Sequence, residues 1–151
     1  MKNDSVYFSQ LAIDVRTDEC FSGRINYMSL NFGDDKLYQV RISSQFGGDQ
    51  LLQAKSACAK WVDILKSDFP VVEDFNERDK KTNEQINVGS KLTPKNQQNL
   101  TRPKFATVTY RPFYKKSNDG NNQVTKEVNY YLVEVKLVDL KDSKYTVEGY
   151  Y

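Results

Sequence analysis

The sequence predicts a mainly β domain of five strands, with one helix between the third and the fourth strand, from three observations. Alternating apolar and polar residues recur in five segments, and this period of two is typical of half-buried strands. One further segment repeats its apolar residues at three- and four-residue spacing, the period of a helix. The 151 residues match a common size for one domain, so we expect a single domain over 1–151.

The first three strands are expected over 6–17, 24–32 and 36–44. Apolar side chains alternate with polar ones in each of these segments, as in Met28, Leu30 and Phe32 of the second. The residues Gly33-Asp34-Asp35 are a turn signal between the second and third segments. The sequence therefore predicts a tight hairpin at this position.

The helix is expected to begin after Gly47-Gly48, with Asp49 as its cap, and to end near Asp68, ahead of Pro70. Its apolar stripe consists of Leu51, Leu52, Ala54, Ala57, Cys58, Trp61, Val62 and Leu65. Trp61 is interpreted as packing between helix and sheet. Because free cysteines are commonly buried, Cys58 is interpreted as a buried thiol, with a disulfide to Cys20 as the alternative.

The segment 73–101 is rich in Asp, Asn, Lys and Gln, and we interpret it as a long polar excursion with a short turn of structure around Ile86 and Val88. A loop of this length is usually functional or disordered. The last two strands are expected over 105–114 and 128–140, joined by a flexible hairpin tip over 115–127. Pro112 lacks an N–H and is expected at an edge or a bulge, and the tail at about 141–151 is expected to be flexible.

The fourth strand and the hairpin after it combine aromatic and basic residues. Arg111-Pro112-Phe113-Tyr114-Lys115-Lys116 holds two rings and three cations, and Lys126 and Tyr130 return on the other arm. Rings stack on unpaired bases and cations follow the phosphates, so this pattern indicates single-stranded nucleic acid. Alternatively, the two rings close one end of the fold and the two lysines are a solvated pair.

The element order and this hairpin resemble the OB-fold, a five-stranded Greek-key barrel with its helix between strands three and four. More narrowly, the chain resembles the single-stranded-DNA-binding proteins of phages and conjugative plasmids. The resemblance implies largely sequence-independent binding in phage replication or plasmid conjugation, with self-association along the strand. Bacterial housekeeping members end in an acidic tail with a terminal Phe, whereas this chain ends Glu148-Gly149-Tyr150-Tyr151, so their partner recruitment is not expected.

The resemblance also implies a binding surface on strands two and three and on the loop between strands four and five. Tyr110 alternates with Val108, so it could occupy a core position instead of binding a base. Tyr27 and Arg41 could pack against each other and stabilise the sheet instead of binding nucleic acid. The candidate nucleic-acid-binding residues are Tyr27, Gln39, Arg41, Tyr110, Arg111, Phe113, Tyr114, Lys115, Lys116, Lys126 and Tyr130.

Several residues and motifs that enzymes and metal sites need are absent, which narrows the range of possible functions. The chain has no histidine and two cysteines, which leaves no His base and too few ligands for a zinc site. No phosphate-binding Gly-rich motif is present, so we expect no enzyme activity, no metal and no cofactor. Without a signal segment or an apolar stretch of roughly 20 residues, a cytoplasmic protein that does not contact a membrane is expected.

Two alternatives to single-stranded DNA stay open. RNA could be the ligand, because stacking and phosphate contacts serve both nucleic acids. A phage- or plasmid-encoded protein-binding module, such as an inhibitor or an assembly adaptor, is favoured by the net charge of only +2 and by the acidic-leaning segment from Glu73 to Glu84.

Overall fold

The alternating segments form strands, and more of them than the sequence predicts. A computed structural model describes residues 8–14, 26–33, 36–95, 104–120 and 123–139. Within these ranges lie seven strands and one helix: β1 Phe8–Asp14, β2 Asn26–Gly33, β3 Lys36–Gly47, α1 Leu51–Leu65, β4 Val71–Arg78, β5 Gln85–Thr93, β6 Lys104–Asp119 and β7 Gln123–Asp139. The expectations for Cys20, for most of the loop between β1 and β2 and for the tail at 141–151 lie outside the described residues.

All seven strands belong to one antiparallel sheet in the order β1-β2-β3-β7-β6-β5-β4. Two runs of hairpin-connected strands, β1 to β3 and β4 to β7, meet where β3 pairs with β7. The hairpin of β2 and β3 at Gly33 and Lys36 confirms the predicted turn. The long strands β3, β6 and β7 therefore occupy the centre, and the two edges belong to β1 and β4.

The predicted closed five-stranded barrel is not observed. In the described residues no pairing joins the edge strands β1 and β4, so the sheet is open. The mainly β class and the position of the single helix after the third strand are confirmed. Two additional strands extend the sheet on the side of β6, which places β4 rather than a barrel-closing strand at that edge.

The predicted polar excursion is wrong in its first part, because β4 and β5 form a hairpin there. In β4 only Val72 and Phe75 are half-buried, and the other side chains are exposed. An edge strand with little burial on either face needs few apolar residues, so its alternation is weak. Backbone pairing with β5 holds the edge strand β4, whereas β5 is also anchored in the core by the buried Leu92.

The turn between β4 and β5 is held by its own polar groups. The Asp79 carboxylate accepts hydrogen bonds from the backbone N–H groups of Thr82 and Lys81, each at 2.8 Å. These two bonds stabilise the charged form and hold the pKa of Asp79 below its usual range. Asn83 takes a left-handed conformation with φ of 58°, which Asn tolerates better than most residues. The turn is thus ordered by Asp and Asn chemistry.

The hairpin of β6 and β7 is longer than predicted. The two strands stay paired as far as Asp119 and Gln123, so the residues 115–127 are mostly strand rather than a flexible tip. Pro112 lies at an edge next to a bulge, as expected. Pairing of β6 with β5 ends at Tyr110, and a bulge follows between Phe113 and Tyr114. A residue without an N–H fits there because no β5 partner is present.

The helix α1 covers one face of the sheet, over β3, β5, β6 and β7. Its N-cap is Gln50 rather than Asp49, and no side-chain hydrogen bond caps the helix. The Gln50 side-chain oxygen instead accepts a hydrogen bond from the Gly47 N–H at 2.8 Å, before the helix begins. The core consists of two clusters, of which the first contains Phe46, Ala54, Ala57, Tyr110, Tyr131 and Val133, and the second contains Leu65, Phe69, Leu92, Ala106, Val108 and Val135. Trp61 packs against the second cluster, as predicted.

Candidate nucleic-acid interface

The sheet face that points away from α1, called the distal face, carries most of the polar side chains of the central strands. Residues in neighbouring strands line up in rows because side chains alternate between faces. One row joins Arg41 to Lys136, Thr107 and Lys91. The next row joins Glu134 to Thr109 and Gly89. The distal face is therefore a charged surface with short side chains between its ionic groups.

A groove of about 610 Å³ lies on the distal face between β7 and the edge strand β4. Its cations are Lys91, Arg111 and Lys136, and its carboxylates are Glu73, Glu77 and Glu134. Its other lining residues include Phe75, Asn87, Thr107 and Thr109. Ring, hydroxyl, amide and both signs of charge thus meet in one groove.

Glu134 is the central carboxylate of the distal face. Its Oε2 lies 3.6 Å from Arg41 Nε, and its Oε1 lies 3.3 Å from Lys136 Nζ. The Glu134 side chain is only 12% exposed, so solvent screens these two ion pairs less than it would screen pairs at the surface. One carboxylate therefore offsets two cations in the middle of the sheet.

A pair of stacked rings adjoins the groove. Phe113 and Tyr130 are cross-strand partners, with ring centroids 4.6 Å apart and ring planes 14° apart. The Arg111 guanidinium lies 5.4 Å from the Phe113 centroid, within the range of a cation–π interaction. Both rings are half-buried. Phe113 and Tyr130, called the ring pair below, stand beside an arginine that also lines the groove.

Alternation along β6 separates the residues of the predicted hairpin site, because Phe113 and Tyr114 are consecutive and point to opposite faces. Tyr114 pairs with Val128, which packs against the core under α1, and Asn129 is the extra residue of the bulge in β7. On the face of Tyr114 the Lys126 Nζ lies 4.8 Å from the Tyr114 centroid and donates to Glu84 Oε1 at 2.6 Å. Lys126 thus ties the hairpin to the turn between β4 and β5, away from the groove.

Other predicted site residues are also dispersed. Tyr110 is 7% exposed and packs edge-on against Tyr131, with centroids 6.2 Å apart; burial raises the pKa of both hydroxyls. Gln39 is on the distal face but 1% exposed, whereas Tyr27 is 49% exposed on β2. Lys115 and Lys116 are exposed towards the hairpin tip. The Lys115 Nζ lies 3.3 Å from Glu127 Oε1.

The structure therefore brings together Arg41, Arg111, Phe113 and Tyr130 of the predicted residues and adds others that the sequence reasoning missed. Glu134 and Lys136 could have been included, because their alternation in β7 already places them on the outward face. Phe75 and Lys91 belong to the segment interpreted as an excursion, which gave no reason to place them on a sheet.

Searches for other kinds of site in the described ranges find little. No group of three metal-binding side chains occurs among those residues, and none of their helices has the length and apolar character needed to cross a membrane. No protein-family model, curated protein or solved structure matches the chain. The geometry of the distal face is therefore the basis for inferring a function.

Proposed function

We propose that this protein binds single-stranded nucleic acid on the distal face, with single-stranded DNA as the first candidate. The observation that carries the proposal is the ring pair, which stands beside Arg111 at one end of a groove lined by further cations. Stacking on an aromatic ring contributes about 1–3 kcal/mol per base, and it tolerates any base. Binding is therefore expected to be largely independent of sequence.

The cations of the distal face extend this surface away from the ring pair. Along β6, Phe113 and Thr107 are six residues apart, and Thr107 lies in the row of Arg41, Lys136 and Lys91. At about 3.4 Å per residue this distance is roughly 20 Å, which is sufficient for a few nucleotides. Phosphates contacting these cations would release counterions, so affinity is expected to fall as salt rises.

Fluorescence anisotropy with a labelled mixed-sequence strand tests the proposal. Replacing both Phe113 and Tyr130 with Ala is expected to weaken binding at least tenfold, from the loss of about 1–3 kcal/mol of stacking per base. Tyr114→Ala is the matched control, because Tyr114 is an exposed ring of the same hairpin on the opposite face. It is expected to bind as the parent does. Thermal unfolding of each variant checks that the fold is intact.

Two results would contradict the proposal. Equal losses in the ring-pair variant and in Tyr114→Ala would show that the distal face is not the contact surface. Absence of saturable binding at low salt would favour the alternative, a protein-binding module. Competition with unlabelled RNA and duplex DNA shows which nucleic acid the protein prefers. A role in phage replication or plasmid conjugation stays a prediction, as does self-association along the strand.

A further inference from the structure

The β4 wall of the groove presents hydrogen-bond acceptors at regular spacing. Glu73, Phe75 and Glu77 alternate along β4, so two carboxylates flank one ring, and all three line the groove. Both carboxylate residues are exposed, while Phe75 is half-buried. Asn87 adds an amide oxygen, Oδ1, that accepts no hydrogen bond from the described residues. Acceptors therefore dominate this wall.

The opposite wall and the floor differ from it in chemistry. Arg111 and Lys136 stand on β6 and β7, two and three strands from β4, or roughly 10–14 Å at the usual strand spacing. Between the walls the groove is lined by Thr107, Thr109 and Lys91, and Lys91 lies directly opposite Glu73 across β4 and β5. The groove is therefore polarised at its other end, where Arg111 stands on one side and Phe75, Asn87 and Glu77 stand on the other.

A nucleotide has a matching polarity. Its phosphate is an anion, its base has a face that stacks on a ring, and its base edge carries donors or acceptors. With the phosphate at Arg111 and Lys136, the base lies toward Phe75 and its edge toward the β4 carboxylates. The reverse orientation would place the phosphate beside Glu77, where like charges repel.

Ionised carboxylates can only accept hydrogen bonds. Cytosine and adenine present an exocyclic amine, which donates, at the position where thymine and uracil present a carbonyl oxygen, and guanine carries its amine on another edge. The ring N3–H of thymine and uracil also donates, but a carbonyl oxygen flanks it on each side. A carbonyl oxygen facing a carboxylate gains no hydrogen bond and leaves both groups poorly solvated. We propose that this groove is a base subsite that prefers bases with an exocyclic amine over thymine and uracil.

This inference rests on the proposed function and deepens it, from nearly sequence-independent binding to a modest preference at one position. The sharpest comparison uses equal-length strands of deoxycytidine and deoxyuridine at pH 8, because the two bases differ at the amine and the adjacent ring nitrogen. The parent protein is expected to bind the deoxycytidine strand about fivefold or more tightly, in line with the discrimination of a good base contact.

The variant Glu73→Gln/Glu77→Gln is expected to lose this preference, because amides donate as well as accept. Asp63→Asn/Asp68→Asn is the matched control: it removes two exposed carboxylates at the helix and beyond its end, and it is expected to keep the parent's ratio. A preference that persists in the β4 variant, or equal binding of both strands by the parent, would overturn the subsite and leave the proposed function standing. Failure of every strand to bind would overturn both.

Discussion

Glu134 offers a direct test of the electrostatics of the distal face. Its carboxylate lies within 3.6 Å of Arg41 and 3.3 Å of Lys136, so in the free protein it competes with phosphate for two cations. Glu134→Gln keeps the shape and removes the charge. Both cations then become available to the nucleic-acid backbone, and affinity should rise rather than fall.

The magnitude follows from counterion release. For single strands, each phosphate neutralised adds about 0.7 to the slope of log affinity against log salt. Removing one carboxylate frees one net positive charge, so one more phosphate is neutralised. The slope then becomes steeper by about 0.7, which corresponds to roughly fivefold tighter binding at 0.1 M salt relative to 1 M. The variant is also expected to be less stable, by about 1–3 kcal/mol, because removing the carboxylate leaves partly buried cations without their partner.

Anisotropy titrations over about one decade of salt, from roughly 0.05 to 0.5 M, measure both affinity and slope. Asp63→Asn is the control, since Asp63 pairs with a single exposed lysine, Lys66, at the end of α1. It should change the slope by less than half as much. An unchanged slope for a folded Glu134→Gln protein would refute the argument that the phosphates meet Arg41 and Lys136.

Two predictions concern stability. Gly48→Ala is expected to destabilise the fold in urea unfolding, because the added Cβ would lie 2.1 Å from the Val128 carbonyl oxygen, whereas Gly120→Ala, with nothing within 4 Å, should not; equal effects would contradict the close approach. Burial raises the pKa of the Cys58 thiol to about 12 from 9.0, so above pH 9 the unfolded chain releases a proton that the folded chain keeps. The free energy of unfolding should therefore fall from pH 9 towards 12 by at most about 1.4 kcal/mol per pH unit. Cys58→Ala should reduce this dependence, and an unchanged dependence would argue against a buried thiol.

The parts of the fold that sequence reasoning predicts are those where one face is buried. In β7 the alternating apolar residues Tyr131, Val133 and Val135 are buried. The predicted helix stripe packs on the core, except for Leu52, which is 78% exposed. The hairpin of β4 and β5 escaped prediction because an exposed edge strand carries little apolar alternation. Closure of the sheet also depends on pairings between distant strands, which local periods do not encode.

The site was predictable in composition but not in arrangement. Arg111, Phe113 and Tyr130 are adjacent on the distal face, as the mixture of rings and cations in this hairpin indicated. Alternation along β6 already places Tyr114 on the face opposite Phe113. The bulge at Asn129, which brings Val128 opposite Tyr114, leaves no clear sequence signal. The acceptors of β4 could be assigned to the groove only once the strand order was known.

Photo-crosslinking tests the central claim most directly. A single strand carrying 5-bromodeoxycytidine is bound to the protein, irradiated and mapped by mass spectrometry. Crosslinks are expected at Phe113 and Tyr130, whose rings stack on each other on the distal face. Crosslinks concentrated at Tyr114, on the face of α1 and 36% exposed, would show that the nucleic acid binds elsewhere and would contradict the account.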